Sequence, residues 1–369
     1  LGDGATLKSR LYYDIFENSL YSYDDETYTT QTRRYAFQSW YDDYTYGASL
    51  EYGKPLGEHT LKLALNYKFD HHEEHDNAEP VRTFEDRSYS LALEDTYRVD
   101  SRQSLVAGIS YDVRDSVRAE GYENGEIFDF EDNDTDAWNP QIGYFMELDS
   151  ANQGRVTLSR KTRLPTIKDR YSYRFGTALP NPDLEAEKST TLEFGWVHRF
   201  GHWARLDSAV FYSDIRDLIE SVDINSAVYQ LQNVGKVSSK GAEVGLEVWL
   251  GNSWEIGGNY SYLKQTNRSS DLKLTNVPEH KAQAWLTWHV TDPFSLSANA
   301  HYESERYTST DGLREADSFT VFGLRAGYEF AQGWVGRLGV SNLTDENYAY
   351  QEGYPEAGRT WYGNLSYRF

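Results

Sequence analysis

Between Thr360 and Phe369 the chain alternates without a break: Trp361, Gly363, Leu365, Tyr367 and Phe369 against Thr360, Tyr362, Asn364, Ser366 and Arg368. An extended chain sends successive side chains to opposite faces, so this segment carries one apolar, aromatic face and one polar face. The same period of two recurs along the whole length. Leu61, Leu63, Leu65, Tyr67 and Phe69 form one apolar set; Ala242, Val244, Leu246, Val248 and Leu250 form another, opposed by Glu243, Gly245 and Glu247. Ala282, Ala284, Leu286, Trp288 and Val290 follow, then Phe322, Leu324, Ala326, Tyr328 and Phe330. No stretch has a convincing helical period, so the reading is all-β. The alternation marks about sixteen strands: 5–16, 43–53, 58–70, 86–98, 103–115, 137–148, 153–163, 188–200, 203–216, 237–250, 253–266, 279–291, 294–307, 317–330, 333–342 and 357–369.

The connections alternate in length. Short ones, such as 54–58, 99–102, 200–203, 250–253, 291–293 and 331–333, hold the Gly, Asn, Asp and Pro residues that tight hairpins require. Between them lie long polar links near 17–42, 71–85, 116–136, 164–188, 217–236, 267–278, 308–316 and 344–356. Short turns at one end and long loops at the other are the pattern of a transmembrane antiparallel β-barrel, with periplasmic turns and external loops. A soluble sandwich has no reason to sort its loops this way. The strand count is even, and both chain ends fall on the short-turn side.

Composition fits once the right features are weighed. A mean hydropathy of -0.72 looks too polar for a membrane protein, and no run approaches the roughly 18 to 20 apolar residues of a spanning helix. A barrel escapes that requirement, because only alternate residues face lipid. The 30 Tyr and 10 Trp, in a chain that is 15% aromatic, suit girdles at the two membrane interfaces. Cysteine is absent, which removes disulfides, thiol nucleophiles and thiolate metal sites. A net charge of -22 argues against nucleic acid as a partner. The chain opens on Leu1 without an initiator Met or signal peptide, so its N-terminus is expected to be processed or truncated.

Three local motifs narrow the class. Leu338-Gly-Val-Ser-Asn-Leu-Thr-Asp-Glu-Asn-Tyr348, followed by Gly353-Tyr-Pro-Glu-Ala-Gly-Arg359, resembles the C-terminal signature of TonB-dependent receptors. Leu179-Pro-Asn-Pro-Asp-Leu-Glu-Ala-Glu-Lys188 is similar to the segment that introduces a mid-barrel strand in that family, and Gln232-Asn-Val-Gly-Lys236 leading into Lys240-Gly-Ala-Glu243 is a third match. The resemblance implies a 22-stranded barrel around an N-terminal plug. Residues 1–369 would then be the C-terminal part of the barrel as a single domain, without the plug and its TonB-engaging box. It also implies a bacterial outer-membrane location and energised uptake of a scarce bulky nutrient: a ferric siderophore first, with cobalamin, haem or another metal chelate possible. The expected partners are outer-membrane lipid and lipopolysaccharide, the TonB complex through the plug, the metal chelate, and the barrel-assembly machinery. A passive 16-stranded porin is the alternative; it predicts an inward-folded loop and a trimer. No Ser/His/Asp arrangement supports hydrolysis, and no cofactor is called for.

Candidate binding residues lie in the long links. Lys168, Arg170, Tyr171, Tyr173, Arg174 and Phe175 combine cations with aromatic rings, which suits an anionic aromatic ligand such as a ferric catecholate; packing at the rim is the other reading. His71, His72 and His75, among Glu73, Glu74 and Asp76, could ligate a divalent metal or form a solvated acidic loop tip. Asp129, Glu131, Asp132, Asp134 and Asp136 could hold calcium, or be a solvated loop. Phe369 resembles the terminal Phe that the assembly machinery reads on outer-membrane barrels. Its deletion is expected to reduce insertion in cells while leaving synthesis intact. An unchanged amount of heat-modifiable barrel in the outer-membrane fraction would count against that role.

Overall fold

The computed structural model describes residues 2, 4–33, 35–173, 176–225 and 227–369. Its elements begin with β1 (Thr6–Tyr21), β2 (Gln38–Leu56), β3 (His59–Asp76), β4 (Arg82–Arg98), β5 (Gln103–Glu123), β6 (Glu126–Asp129), β7 (Thr135–Glu147) and β8 (Asn152–Arg163). Next come α1 (Ile167–Tyr171), β9 (Ala178–Leu179), β10 (Glu187–Phe200), β11 (Ala204–Arg216), β12 (Ile219–Asn225), β13 (Val228–Asn233), β14 (Lys236–Leu250) and β15 (Trp254–Asn267). The last are β16 (His280–Thr291), β17 (Phe294–Glu303), β18 (Arg306–Tyr307), β19 (Glu315–Ala316), β20 (Phe319–Ala331), β21 (Trp334–Ser341), β22 (Ala349–Gln351), β23 (Tyr354–Pro355) and β24 (Thr360–Tyr367).

Sixteen long strands run in one antiparallel meander, each paired with the next long strand in sequence from β1 to β24. The remaining short strands and α1 sit in the long links. Among the described residues no ladder joins β24 to β1. Backbone groups left bare in hydrocarbon cost several kcal/mol each, so both edges require partners in a membrane.

The expected faces are the observed ones. Leu65, Leu91, Ile109, Ile142, Leu158, Phe194, Val210, Leu246, Ile256, Leu296 and Leu324 all point to one side of the sheet and are exposed. The other side carries hydrogen-bonded polar groups: Arg155 with Glu193 at 2.9 Å, Lys62 with Glu94 at 3.0 Å, Thr287 with Ser297 at 3.0 Å. Such a wall is apolar outside and polar in its lumen, the reverse of a soluble protein. Aromatic pairs border the apolar band at both ends. Tyr13 stacks on Tyr44 and Tyr46 on Phe69 at the long-loop side; Trp254 stacks on Trp288, and Trp334 packs tilted against Tyr367, at the short-turn side.

At the short turns Gly57, Gly201, Gly251 and Gly333 have positive φ, which a side chain would strain. Each turn also supports the next hairpin. The amide of Arg98 donates to the Glu58 carbonyl, Glu147 to Arg102, Arg199 to Ala151, Trp249 to Trp203 and His289 to Ser253, at 2.7 or 2.8 Å. The short-turn rim is therefore level from hairpin to hairpin.

The strand boundaries depart from expectation at the other rim. β1 to β5 run well into the links read as loops, and β3 continues through His71, His72 and His75 to Asp76. Past Phe69 both faces turn polar, so the alternating signal ends although the backbone ladder continues. Side chains hold the ladder there instead. Thr45 donates to Asp70 at 2.7 Å, His71 Nδ1 lies 2.9 Å from Glu85, and the Trp40 and His75 rings stack at 4.5 Å.

Candidate functional site at the barrel mouth

The link after β8 does not stay outside the barrel. Pro165 and Thr166 start α1, and a capping box fixes its first turn: the Thr166 side chain accepts from the Asp169 amide, and Asp169 accepts from the Thr166 amide. The helix lies against the lumenal face of β4 and β5. Arg170 is fully buried, and its Nη2 donates to both Asp86 carboxylate oxygens, at 2.7 and 2.5 Å. Its Nη1 donates to the Asn133 carbonyl at 3.0 Å and its Nε to the Thr166 carbonyl at 3.3 Å. Tyr171 packs between Phe84 and Phe130, with its hydroxyl 3.1 Å from Ser116 Oγ. Tyr173 donates to Asp76 at 2.6 Å while the Arg82 guanidinium sits over its ring.

These contacts change the expected roles. Arg170, Tyr171 and Tyr173 are not arrayed on an exposed loop surface; they tie the link to the inner wall, and each donor on Arg170 that the structure pairs is taken by protein. Lys168 alone of the described members of that set is exposed, at the lip of a cavity of about 510 Å3. Arg174 and Phe175 lie outside the described residues. The acid-rich link at 129–136 is drawn into the same structure, since Asp134 accepts from the Ser116 amide at 3.1 Å.

The three histidines are divided by strand alternation. His71 and His75 point outward, against Tyr44 and Trp40; His72 points into the cavity. Among the described residues no group of three His, Cys, Asp or Glu side chains is arranged to hold a metal ion. His72 instead lies between two carboxylates, Asp43 at 2.5 Å and Glu74 at 3.3 Å. Burial opposes its charge, but the two carboxylates outweigh burial and push its pKa up to about 9. The site stands past Phe69, beyond the apolar band. A raised folded pKa means that this contribution is complete below about pH 6.5 and disappears as pH rises through about 9. In detergent-folded protein, the stability advantage of wild type over His72→Gln is expected to shrink across that window; an advantage independent of pH would refute the assignment.

The cavity is further lined by Phe16, Tyr41, Asp70, Lys68, Arg114 and Asp86. Lys68 is paired with Asp70 at 2.7 Å, and Arg114 donates to the Pro165 carbonyl at 3.1 Å. The result is a mixed-charge recess with aromatic walls, with the exposed Lys168 among its lining residues.

The motif residues prove to be loop clamps that no short-range pattern displays. Asn233 donates to the Glu185 and Asp217 carbonyls and accepts from the Glu185 amide, joining the link after α1 to the β12–β13 hairpin. Asn181 donates to the Leu231 carbonyl, and Glu187 accepts from the Ile219 amide, both at 2.8 Å. Near the C-terminus Asn342 donates to the Glu346 and Ala357 carbonyls, and Asp345 accepts from the Arg359 amide.

A meander of long strands with an apolar exterior, aromatic borders and a polar lumen defines an outer-membrane β-barrel wall. The chain belongs to the family described as TonB dependent receptor-like, beta-barrel, whose model matches residues 1–343. It is similar to the ferric enterobactin receptor of Pseudomonas aeruginosa, 23% identical over 338 residues that cover 77% of this chain and 42% of that protein. The iron-regulated outer membrane virulence protein of Vibrio cholerae is 25% identical over 215 residues, 53% of this chain and 33% of that protein. Among solved structures, the copper transporter OprC superposes with a TM-score of 0.85 at 17% identity, covering 98% of this chain and 62% of its own. The matched segment thus spans about a third of the length of the Vibrio relative.

Proposed function

We propose that the chain forms most of the barrel wall of a TonB-dependent transporter that imports a scarce, bulky metal chelate, a ferric siderophore before cobalamin or haem. The observation that carries this reading is the family match over residues 1–343. Relatives named as ferric enterobactin receptors of Pseudomonas aeruginosa and Escherichia coli support the siderophore; vitamin B12 transporters among the relatives support cobalamin as the next candidate. Energy would come from the inner membrane through TonB and a plug, since the outer membrane holds no ATP. The inward-folded link at α1 is a feature the porin alternative also expects, so it does not separate the two; the family match favours the receptor.

The cavity supports a division of labour in cargo binding. Lys168 would meet an anionic chelate at the lip, with Tyr41 and Phe16 offering ring faces behind it. Arg170, Tyr171 and Tyr173 would hold the lip in place. His71, His72 and His75 would matter to cargo only if it were a free metal ion or a labile chelate. In cells carrying the intact protein, Lys168→Glu is expected to raise the half-saturating concentration for ferric catecholate uptake by about ten- to a hundredfold, the loss of one charge-assisted contact worth about 1.5–3 kcal/mol. Uptake that persists without TonB, or steady open-pore conductance from the purified protein, would overturn the transporter reading.

A further inference from the structure

The outward face of the wall is apolar up to its aromatic border, and over one sector the chemistry then changes abruptly. On β10, β11, β14 and β15, from the level of Tyr212, which lies opposite Lys240, and past Tyr260 and Tyr262, outward positions turn basic. Lys188 lies directly opposite Arg216, Arg216 opposite Lys236, and Lys240 opposite Lys264. The Arg268 amide donates to the Lys236 carbonyl at 2.7 Å, extending the first row across a fourth strand. Arg160 on β8 faces outward beside them, opposite Thr190.

Like charges directly opposite one another in a sheet are destabilising. This sector does so three times, in a chain with 58 acidic and 36 basic residues. Three carboxylates reach the cluster. Asp214 lies 3.2 Å from Arg216 and 3.0 Å from Arg268, Asp217 lies 3.8 Å from Lys188, and Glu279 lies 3.9 Å from Lys264. Among the described ion pairs Arg160, Lys236 and Lys240 have no acidic partner. Arg216, Lys264 and Arg268 keep about half of their side-chain surface free. The stripe therefore carries an excess of positive charge at the height where lipid headgroups meet the wall, continuous with the apolar band below it.

We propose that this stripe seats the phosphate groups of an outer-leaflet lipid. The acyl chains of such a lipid would lie along Leu192, Val210, Val244 and Leu246, and its phosphates would offset the repulsion between the facing cations. Free phosphate lacks the apolar part, so the face fits a lipid better. The assignment rests on which side of the wall is outside and not on the identity of the cargo, so a failed uptake experiment leaves it standing.

The test uses the intact protein, purified in detergent and titrated with bis-phosphorylated lipid A while bound lipid is counted by native mass spectrometry. Arg216→Gln/Lys240→Gln/Lys264→Gln is expected to bind it at least tenfold more weakly than wild type, and Lys8→Gln/Lys62→Gln on the lumenal face to bind it as wild type does. Heat-modifiable migration verifies that each barrel is folded. Should the triple variant not fold, wild type alone decides: lipid A stripped of its phosphates is expected to bind at least tenfold more weakly. Equal binding of the stripped lipid, unchanged binding by the folded triple variant, or saturable binding of inorganic phosphate that displaces the lipid at equal concentration would overturn the proposal.

Discussion

Replacing Arg170 with methionine is expected to release α1 from the barrel wall. The substitution leaves the Asp86 carboxylate buried at 1% exposure with one remaining cation, Arg114, at 3.7 Å. Removing one member of a buried pair costs roughly 3–5 kcal/mol, and Arg114 should hold the loss near the lower end. Because α1 belongs to a link and not to the meander, the loss should appear as local opening while the barrel persists. Protease nicking within 164–186 is the measurement, and it should rise by about two orders of magnitude for a loss of that size. Arg170→Met/Asp86→Leu should recover much of the protection, since two apolar groups leave no buried charge. A nicking rate unchanged in the single variant would show that the ion pair does not hold the link.

Leu246→Arg is the second large effect. Leu246 faces outward in the middle of β14, with Leu206 opposite it on β11 and Gly258 opposite it on β15. A cation there must be moved into hydrocarbon, at about 2–4 kcal/mol near the midplane. Leu286→Arg on β16 should behave alike. Gln283→Arg should be tolerated, because Gln283 points into the lumen, where its amide lies 3.2 Å from His301 Nδ1. Folding yields into lipid vesicles for the three variants provide the comparison. Equal losses for Gln283→Arg and Leu246→Arg would reverse the assigned faces.

The sixteen strands were legible because a lipid-facing strand must alternate for as long as it touches lipid. The signal ends where that demand ends. From His71 to Asp76 neither face needs to be apolar, so the residues read as a loop although they remain in β3. The role of Arg170 was hidden for a different reason. Its partner Asp86 is far away in sequence, and a buried ion pair between a link and a strand leaves no local pattern. One clue is present: Pro165, then Thr166 and Asp169 at capping-box spacing, marks a helix start inside an otherwise open link. The clamps made by Asn181, Asn233 and Asn342 are of the same kind, since each satisfies backbone groups of a different loop.

The level short-turn rim and the unequal strand lengths together make the molecule lopsided. β5 pairs with its wall neighbours as far as Ala119, over about 17 residues, and β17 has 10, so at ~3.3 Å per residue and a tilt of ~40° one side stands roughly 18 Å taller. β2 to β5 rise as a parapet behind the recess that holds Lys168, while β16 to β21 end low. An approach to the recess over β16 to β21 thus passes the β18–β19 and β22–β23 hairpins, whereas one over β2 to β5 passes a continuous ladder.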